Sequence, residues 1–279
     1  MRKIVKGDIV GRKSYNKDIL FTVERIIKSS SGKEIVILKG VTIRIMADSD
    51  MEDLELADRD IIEKDEKMLN KRFESELKKC MKEVGNTENY FLKRTNKAIY
   101  TGKILHLDGD RRYSEKSNLF YKKMGLKAIV KNVSESRQAS VVSDFINRYK
   151  PDILVVTGHD GMIKKGTGYN DISNYRNSRY FANTVKKARS NINLKKDLVI
   201  FAGACQSYYE ELINAGANFA SSPARILIDF IDPLIVAERV ATTEWNKYLT
   251  IKDIEDELRD GERGVNGIGA MGKKKILEY

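Results

Sequence analysis

Hydrophobic positions change their spacing twice along this chain of 279 residues, and each change marks a different kind of structure. Up to about residue 50 they come in short β-branched and aromatic runs, GDIVGRKSY, ILFTVERII, EIVILKG and VTIRIM, with turn signals at Asn16-Lys17-Asp18 and over Ser29 to Gly32. Four or five short strands in so few residues predict a small antiparallel β-barrel over residues 1–50, an architecture that commonly serves as a docking module. Residues 51–99 are densely charged, with apolar positions at Leu54, Ile61, Ile62, Met68, Leu69, Phe73, Leu77 and Met81. The later spacings follow a period of 3.6, so a helical linker is expected, stopping at Gly85-Asn86. Cys80 lies within that helix and reads as a packing residue.

Beyond residue 100 apolar strands alternate with amphipathic helices. Strands are expected over 103–107, 127–133, 152–157 and 197–201, and helices over 115–124, 138–149 and 179–190. This order predicts an α/β domain over residues 100–279, its parallel strands joined by right-handed crossovers and covered by helices on both faces. Such sheets bind ligands beyond the carboxyl ends of their strands. Near the C-terminus, Gly267 to Gly272 spells G-x-G-x-x-G, but without the strand–turn–helix setting of a dinucleotide site, so a flexible tail is expected.

Composition narrows the class. A hydrophobic fraction of 41% and dispersed charge exclude a wholly disordered chain. No apolar run reaches membrane-spanning length, and the start, MRKIVKGDIVGRKSY, has no apolar block of the secretory kind, so the mature protein is expected to begin there. Two cysteines 125 positions apart, with no C-x-x-C, point to a reducing compartment and away from a disulfide framework or a zinc site. The net charge of +11 is spread, with +5, −1, +6 and +5 over the first four fifties and −4 over the remainder. That makes a basic surface, with no block able to track a nucleic-acid backbone.

Candidate chemistry sits at two strand ends. DILVVTGHDG delivers His159 just past one strand, and DLVIFAGACQS delivers Cys205 just past the next, ahead of the helical segment QSYYEELINAG. If the two strands are neighbours, thiol and imidazole emerge on one edge of the sheet within side-chain reach. A helix N-terminus and a nearby imidazolium would favour the thiolate of Cys205, and His159 would then protonate a leaving amine. Gly158, Gly161, Ala202, Gly203 and Ala204 leave room for a substrate backbone, and the N–H groups of Cys205 and of Asp160 or Gly161 would form an oxyanion hole. The other histidine, His106, lies inside an apolar strand and reads as a satisfied core residue.

These residues carry a resemblance. An apolar strand ending in His and Gly, followed by one ending in Ala-Cys, resembles the caspase-like cysteine peptidases. KGDIVGRKSYNKDILF, TGHDG, FAGACQS and ANFASSPARILID resemble the YabG family of sporulation peptidases over essentially the whole chain. The resemblance implies a caspase-like peptidase fold for residues 100–279 and a His159–Cys205 dyad needing no metal or organic cofactor. It implies a mother-cell cytoplasmic enzyme, associated with the forming spore coat, whose substrates are coat and germination proteins. Most caspase-like enzymes place Gly directly after the histidine; here Asp160 intervenes, as an orienting group or an acidic subsite. By the same resemblance, the pocket for the residue before the scissile bond is lined by Asp108 and Asp110 after one strand and Ser221 and Ser222 after another. Carboxylates there would favour Arg or Lys. Self-processing is expected at Arg137 of Ser136-Arg137-Gln138-Ala139, placed between a strand and its helix.

A rival class stays open: a non-enzymatic coat-associated or nucleic-acid-binding protein using the barrel and the basic surface, with Cys205 merely packed. A catalytic thiol would react quickly with iodoacetamide below pH 7, and a packed one only on unfolding.

Overall fold

The first runs become strands β1 (Ile9–Arg12), β2 (Leu20–Lys28), β3 (Glu34–Gly40), β4 (Met46–Asp50) and β5 (Leu54–Leu56). They form one antiparallel sheet in the order β4-β3-β2-β1-β5, with no pairing of β4 to β5 among the described residues. The computed structural model describes residues 2–28, 32–92, 98–163, 168–191 and 197–277, so Ser29–Ser31 of the second expected turn lie outside it. The first turn is where expected, with Asn16 and Lys17 both at positive φ. VTIRIM is not one strand. Val41–Ile45 connects β3 to β4 and turns its backbone toward the second sheet, where Ile45 makes a parallel bridge with Asp160.

Helix α1 (Arg59–Leu92) runs through the expected stop at Gly85-Asn86. A glycine costs a helix only about 1 kcal/mol, and no proline follows to end it. Leu69, Phe73, Leu77 and Cys80 recur at helical spacing and pack into the core beside Phe120 and Phe230.

The remaining elements are β6 (Ala98–Tyr100), β7 (Ile104–Asp108), α2 (Arg111–Lys123), β8 (Ala128–Asn132), α3 (Glu135–Tyr149), β9 (Ile153–Thr157), α4 (Ser178–Arg189), β10 (Val199–Ala202), α5 (Tyr209–Asn214), β11 (Phe219–Ser221), α6 (Asp232–Thr242), β12 (Tyr248–Leu249), α7 (Gly261–Gly264), β13 (Val265–Gly267), β14 (Ala270–Met271) and β15 (Lys275–Leu277). The central sheet has the order β13-β11-β10-β9-β7-β8 and is parallel except for β13. Apolar residues of α1, α2 and α6 cover one face, and those of α3, α4 and α5 the other. β7 and β9 are buried along their whole length, as central parallel strands must be.

Two expectations change here. The glycine-rich C-terminus is ordered: β13 pairs antiparallel with β11, β14 with β12, and β15 with β6. The bare edge of β11 needs a partner, and a Cβ on Gly267 would overlap the Asn218 carbonyl, so the glycine serves close strand approach rather than flexibility. Also, Ser136–Ala139 is not a stretch between a strand and its helix but part of the first turns of α3, with Gln138 buried and its Nε2 donating to the carbonyls of Val133 at 3.2 Å and Thr157 at 2.9 Å. Scission at Arg137 would require that end of α3 to unwind.

Asp232 opens α6 and is nearly fully buried, accepting from the backbone N–H groups of Asp229 and Arg259 at 3.1 Å each. Burial, reinforced by the Asp229 charge, pushes its carboxyl up to about 7. The folded chain thus keeps a proton that the unfolded chain has released, so this group's contribution to stability falls as pH rises from about 4 to about 7. Asp232→Asn removes that dependence. Thermal melts should show the stability of wild type relative to the variant declining over this window by up to about 4 kcal/mol, and a pH-independent difference would contradict the assignment.

Candidate active site

β9 and β10 are adjacent and parallel, with Val199 opposite Ile153 and Ala202 opposite Val156. Their carboxyl ends deliver His159 and Cys205 to the same edge of the sheet. Both side chains are completely buried. The Tyr113 ring, from α2, lies beside His159, with the two ring centroids 5.8 Å apart, and a charge on Cys205 would raise its hydroxyl pKa.

The histidine is held in one tautomer. Its Nε2 faces the Gly40 carbonyl oxygen at 3.2 Å, and a carbonyl can only accept, so Nε2 carries the proton. Nδ1 is the bare, basic nitrogen and has no hydrogen-bond partner among the described residues. Cys205 Sγ donates to the Ile228 carbonyl at 3.7 Å. Burial pushes the thiol up to about 11, with the Ile228 and Arg44 backbones opposing the shift only in part. Burial also pushes His159 down to about 3, helped by the Lys39 ammonium and resisted by Asp110 and Asp108. As folded, Cys205 therefore carries a neutral thiol and His159 a neutral imidazole. This corrects the expected partial thiolate, for which the sequence argument relied on a helix starting right after Cys205. α5 starts at Tyr209, four residues on, and too far to act on the sulfur.

The other candidates divide. Asp108, at the end of β7, is fully buried and accepts from Arg44 Nη1 at 2.7 Å, Thr157 Oγ1 at 2.7 Å and the Asp110 N–H at 2.8 Å. Burial raises its pKa, but the Arg44 guanidinium with His106 and Thr157 lowers it further, and the carboxylate stays ionised. Asp110 caps α2, accepting from the N–H groups of Arg112 and Tyr113, and pairs with Lys39 at 2.8 Å. Asp160 accepts from Ser178, Ser207 and the N–H groups of Gly161 and Asn177, tying the His159 loop to α4 and to the segment after Cys205. Burial pushes Asp160 up to about 6 against all four donors. The Gly161 N–H is thus already engaged, whereas the Asp160 N–H points to the Arg44 carbonyl at 3.3 Å. Ser222, at φ 65°, accepts from the Gln206 N–H and donates to Ile226, and Ser221 donates to the Ala204 carbonyl, so both brace the turn carrying Cys205. His106 is indeed satisfied in the core, between Tyr121 Oη at 3.1 Å and Thr157 Oγ1 at 2.6 Å.

Residues 5–277 match the family described as YabG peptidase U57. The chain belongs to that family. It is 37% identical to the sporulation-specific protease YabG of Bacillus subtilis (strain 168) over 284 aligned positions, covering 97% of this chain and 96% of that protein. No solved structure matches it. The family membership makes this chain a peptidase with a role in sporulation, and proteins are its substrates.

In this YabG-family peptidase several residues at the site escaped sequence reasoning. Glu135, at the start of α3, accepts the His159 backbone N–H at 2.8 Å, and burial raises its carboxyl pKa. Side chains on Gly109 or Gly158 would collide with that carboxylate, so these glycines make room for Glu135. Arg44, from the β3–β4 connection, and Gly40, at the end of β3, reach Asp108 and His159 across 64 and 119 positions of sequence. The one available signal was an arginine within the β-branched run VTIRIM.

Proposed function

We propose that this peptidase is a cysteine endopeptidase with a caspase-like catalytic domain, in which Cys205 is the nucleophile and His159 its proton carrier. The observation that carries this reading is the adjacency of β9 and β10, which brings the cysteine and the histidine to one sheet edge beside Tyr113. With substrate bound, the thiol proton passes to Nδ1 of His159 and the thiolate attacks the peptide carbonyl. The oxyanion is held by backbone N–H groups, with that of Asp160 as donor, and the protonated imidazole gives its proton to the leaving amine. Water then hydrolyses the thioester. The chemistry requires no metal.

A basic residue before the scissile bond is the preferred substrate feature. Asp108 supports it: a buried carboxylate held ionised at the end of β7, close to the dyad, suits a guanidinium far better than an apolar side chain. In the cell the substrates would be spore coat and germination proteins, met in the mother-cell cytoplasm, and the N-terminal sheet would act as the docking module.

The test is direct. An Arg- and Lys-containing protein is incubated with wild type and with Cys205→Ala, and the fragments are mapped by mass spectrometry. Cuts following basic residues in the wild-type digest alone are expected, and equal cutting by both proteins would remove Cys205 from the mechanism.

A further inference from the structure

The β3–β4 connection enters the proposed active site and fills each place that a substrate would take. Arg44 is 1% exposed, although arginine is seldom so deeply buried. Its Nη1 lies on Asp108 at 2.7 Å, its Nη2 donates to the Phe230 carbonyl at 3.1 Å, and its guanidinium stands 5.2 Å from the Tyr113 ring centroid. Lys39 takes the second carboxylate, Asp110. The two acidic groups that would select a basic substrate residue are thus both occupied by basic residues of the same chain.

The backbone is engaged as well. The Arg44 carbonyl accepts from the Asp160 N–H at 3.3 Å, and the Met46 N–H donates to the Asp160 carbonyl at 2.7 Å, a strand-like pair of bonds. The Gly40 carbonyl accepts a hydrogen bond from the His159 Nε2–H at 3.2 Å. A Cβ on Gly161 would overlap the Met46 carbonyl, so the glycine provides for the close backbone approach expected of a substrate. Leu38 and Ile45 belong to one apolar cluster with Cys205 and close the site to water. Arg44 Nε has no partner among the described residues, so the guanidinium is seated without being saturated.

We propose that residues 40–46 occupy the substrate cleft as an internal stand-in for substrate, with Arg44 in the seat of the residue before the scissile bond, and that the enzyme works only when this segment withdraws. The proposal rests on the reading of Cys205 and His159 as the dyad. It also names a substrate class: extended segments bearing an arginine between β-branched neighbours, as in Ile43-Arg44-Ile45. The neutral thiol and imidazole described above are what a dry, occupied cleft produces.

The test uses the full chain with two substitutions. Arg44→Ala empties the pocket, while Arg176→Glu, away from the dyad, replaces the Arg176–Asp48 ion pair with a repulsion at the seam between the N-terminal sheet and the catalytic domain. Alkylation of Cys205 by iodoacetamide, resolved from Cys80 by mass spectrometry, should speed up about tenfold or more in each, as a contact worth about 1.4 kcal/mol or more is lost from the closed state. A synthetic heptapeptide of residues 41–47 should restore protection to Arg44→Ala, and the same peptide with alanine for arginine should not. Unchanged alkylation in both variants, or equal protection by both peptides, would overturn the proposal; if Arg44→Ala fails to fold, Arg176→Glu decides. Cleavage of an Arg-containing peptide, read in parallel, separates the two readings. Faster alkylation without cleavage keeps the stand-in and removes the dyad, whereas wild type cutting as fast as both variants keeps the dyad and removes the stand-in.

Discussion

His159→Ala is expected to slow peptide cleavage about 1,000-fold or more, and the double variant His159→Ala/Cys205→Ala to be no slower than Cys205→Ala alone. A nucleophile and the base that serves it act as one unit: once the sulfur is gone the imidazole has no proton to carry, so the second loss adds nothing. The prediction is specific to these two side chains, because His106 is the only other imidazole in the sequence and its nitrogens are engaged by Tyr121 and Thr157. Single-turnover rates on an Arg-containing substrate would show it. Additive losses would mean that His159 acts on something other than the thiol, and folding of each variant is checked by circular dichroism.

The second large effect concerns stability and selectivity together. Asp108→Asn removes the negative partner of a guanidinium that is almost wholly buried. Breaking a buried pair from one side leaves an uncompensated charge, at a cost of about 3–5 kcal/mol. In a chain of this size that corresponds to a fall in Tm of roughly 10 °C. Asparagine keeps only one of the two acceptor oxygens, so either the Asp110 N–H, bonded to Oδ1, or the Thr157 hydroxyl, bonded to Oδ2, faces an amide N–H2 instead, which adds to the loss. Activity should change in kind as well: without the carboxylate, the preference for Arg or Lys before the scissile bond should largely vanish, as fragment mapping would register. A variant with unaltered melting and unaltered preference would place the specificity pocket elsewhere.

The sheet edge that carries these groups was legible in the sequence because buried parallel strands leave a strong mark. ILVVT and LVIFA are too apolar to be anything but central, and His159 and Cys205 follow them directly. The N-terminal strands were legible through alternation and turns, although not the departure of Val41–Ile45 from the sheet. That departure is decided by partners 64 or more positions away, and no local spacing encodes them. The C-terminal strands were hidden for a related reason: glycines at 267, 269 and 272 look like a loose tail until the strand that needs their close approach is in view. Ionisation was the least legible property, because it depends on burial by another part of the chain. The argument for a thiolate at Cys205 needed a helix terminus and an imidazolium close by, whereas α5 starts at Tyr209 and burial pushes the thiol pKa up.

If residues 40–46 occupy the cleft as proposed, their place in the sequence has a consequence for synthesis. A ribosome completes Arg44 161 residues before Cys205. At about 5–20 residues per second that is an interval of roughly 8–30 s, in which the N-terminal sheet, whose pairings are all local to its first 56 residues, can fold first. The catalytic edge then assembles against a segment already in place. A nascent peptidase built in this order would spare neighbouring nascent chains, and an N-terminal deletion would release a protease with no such delay.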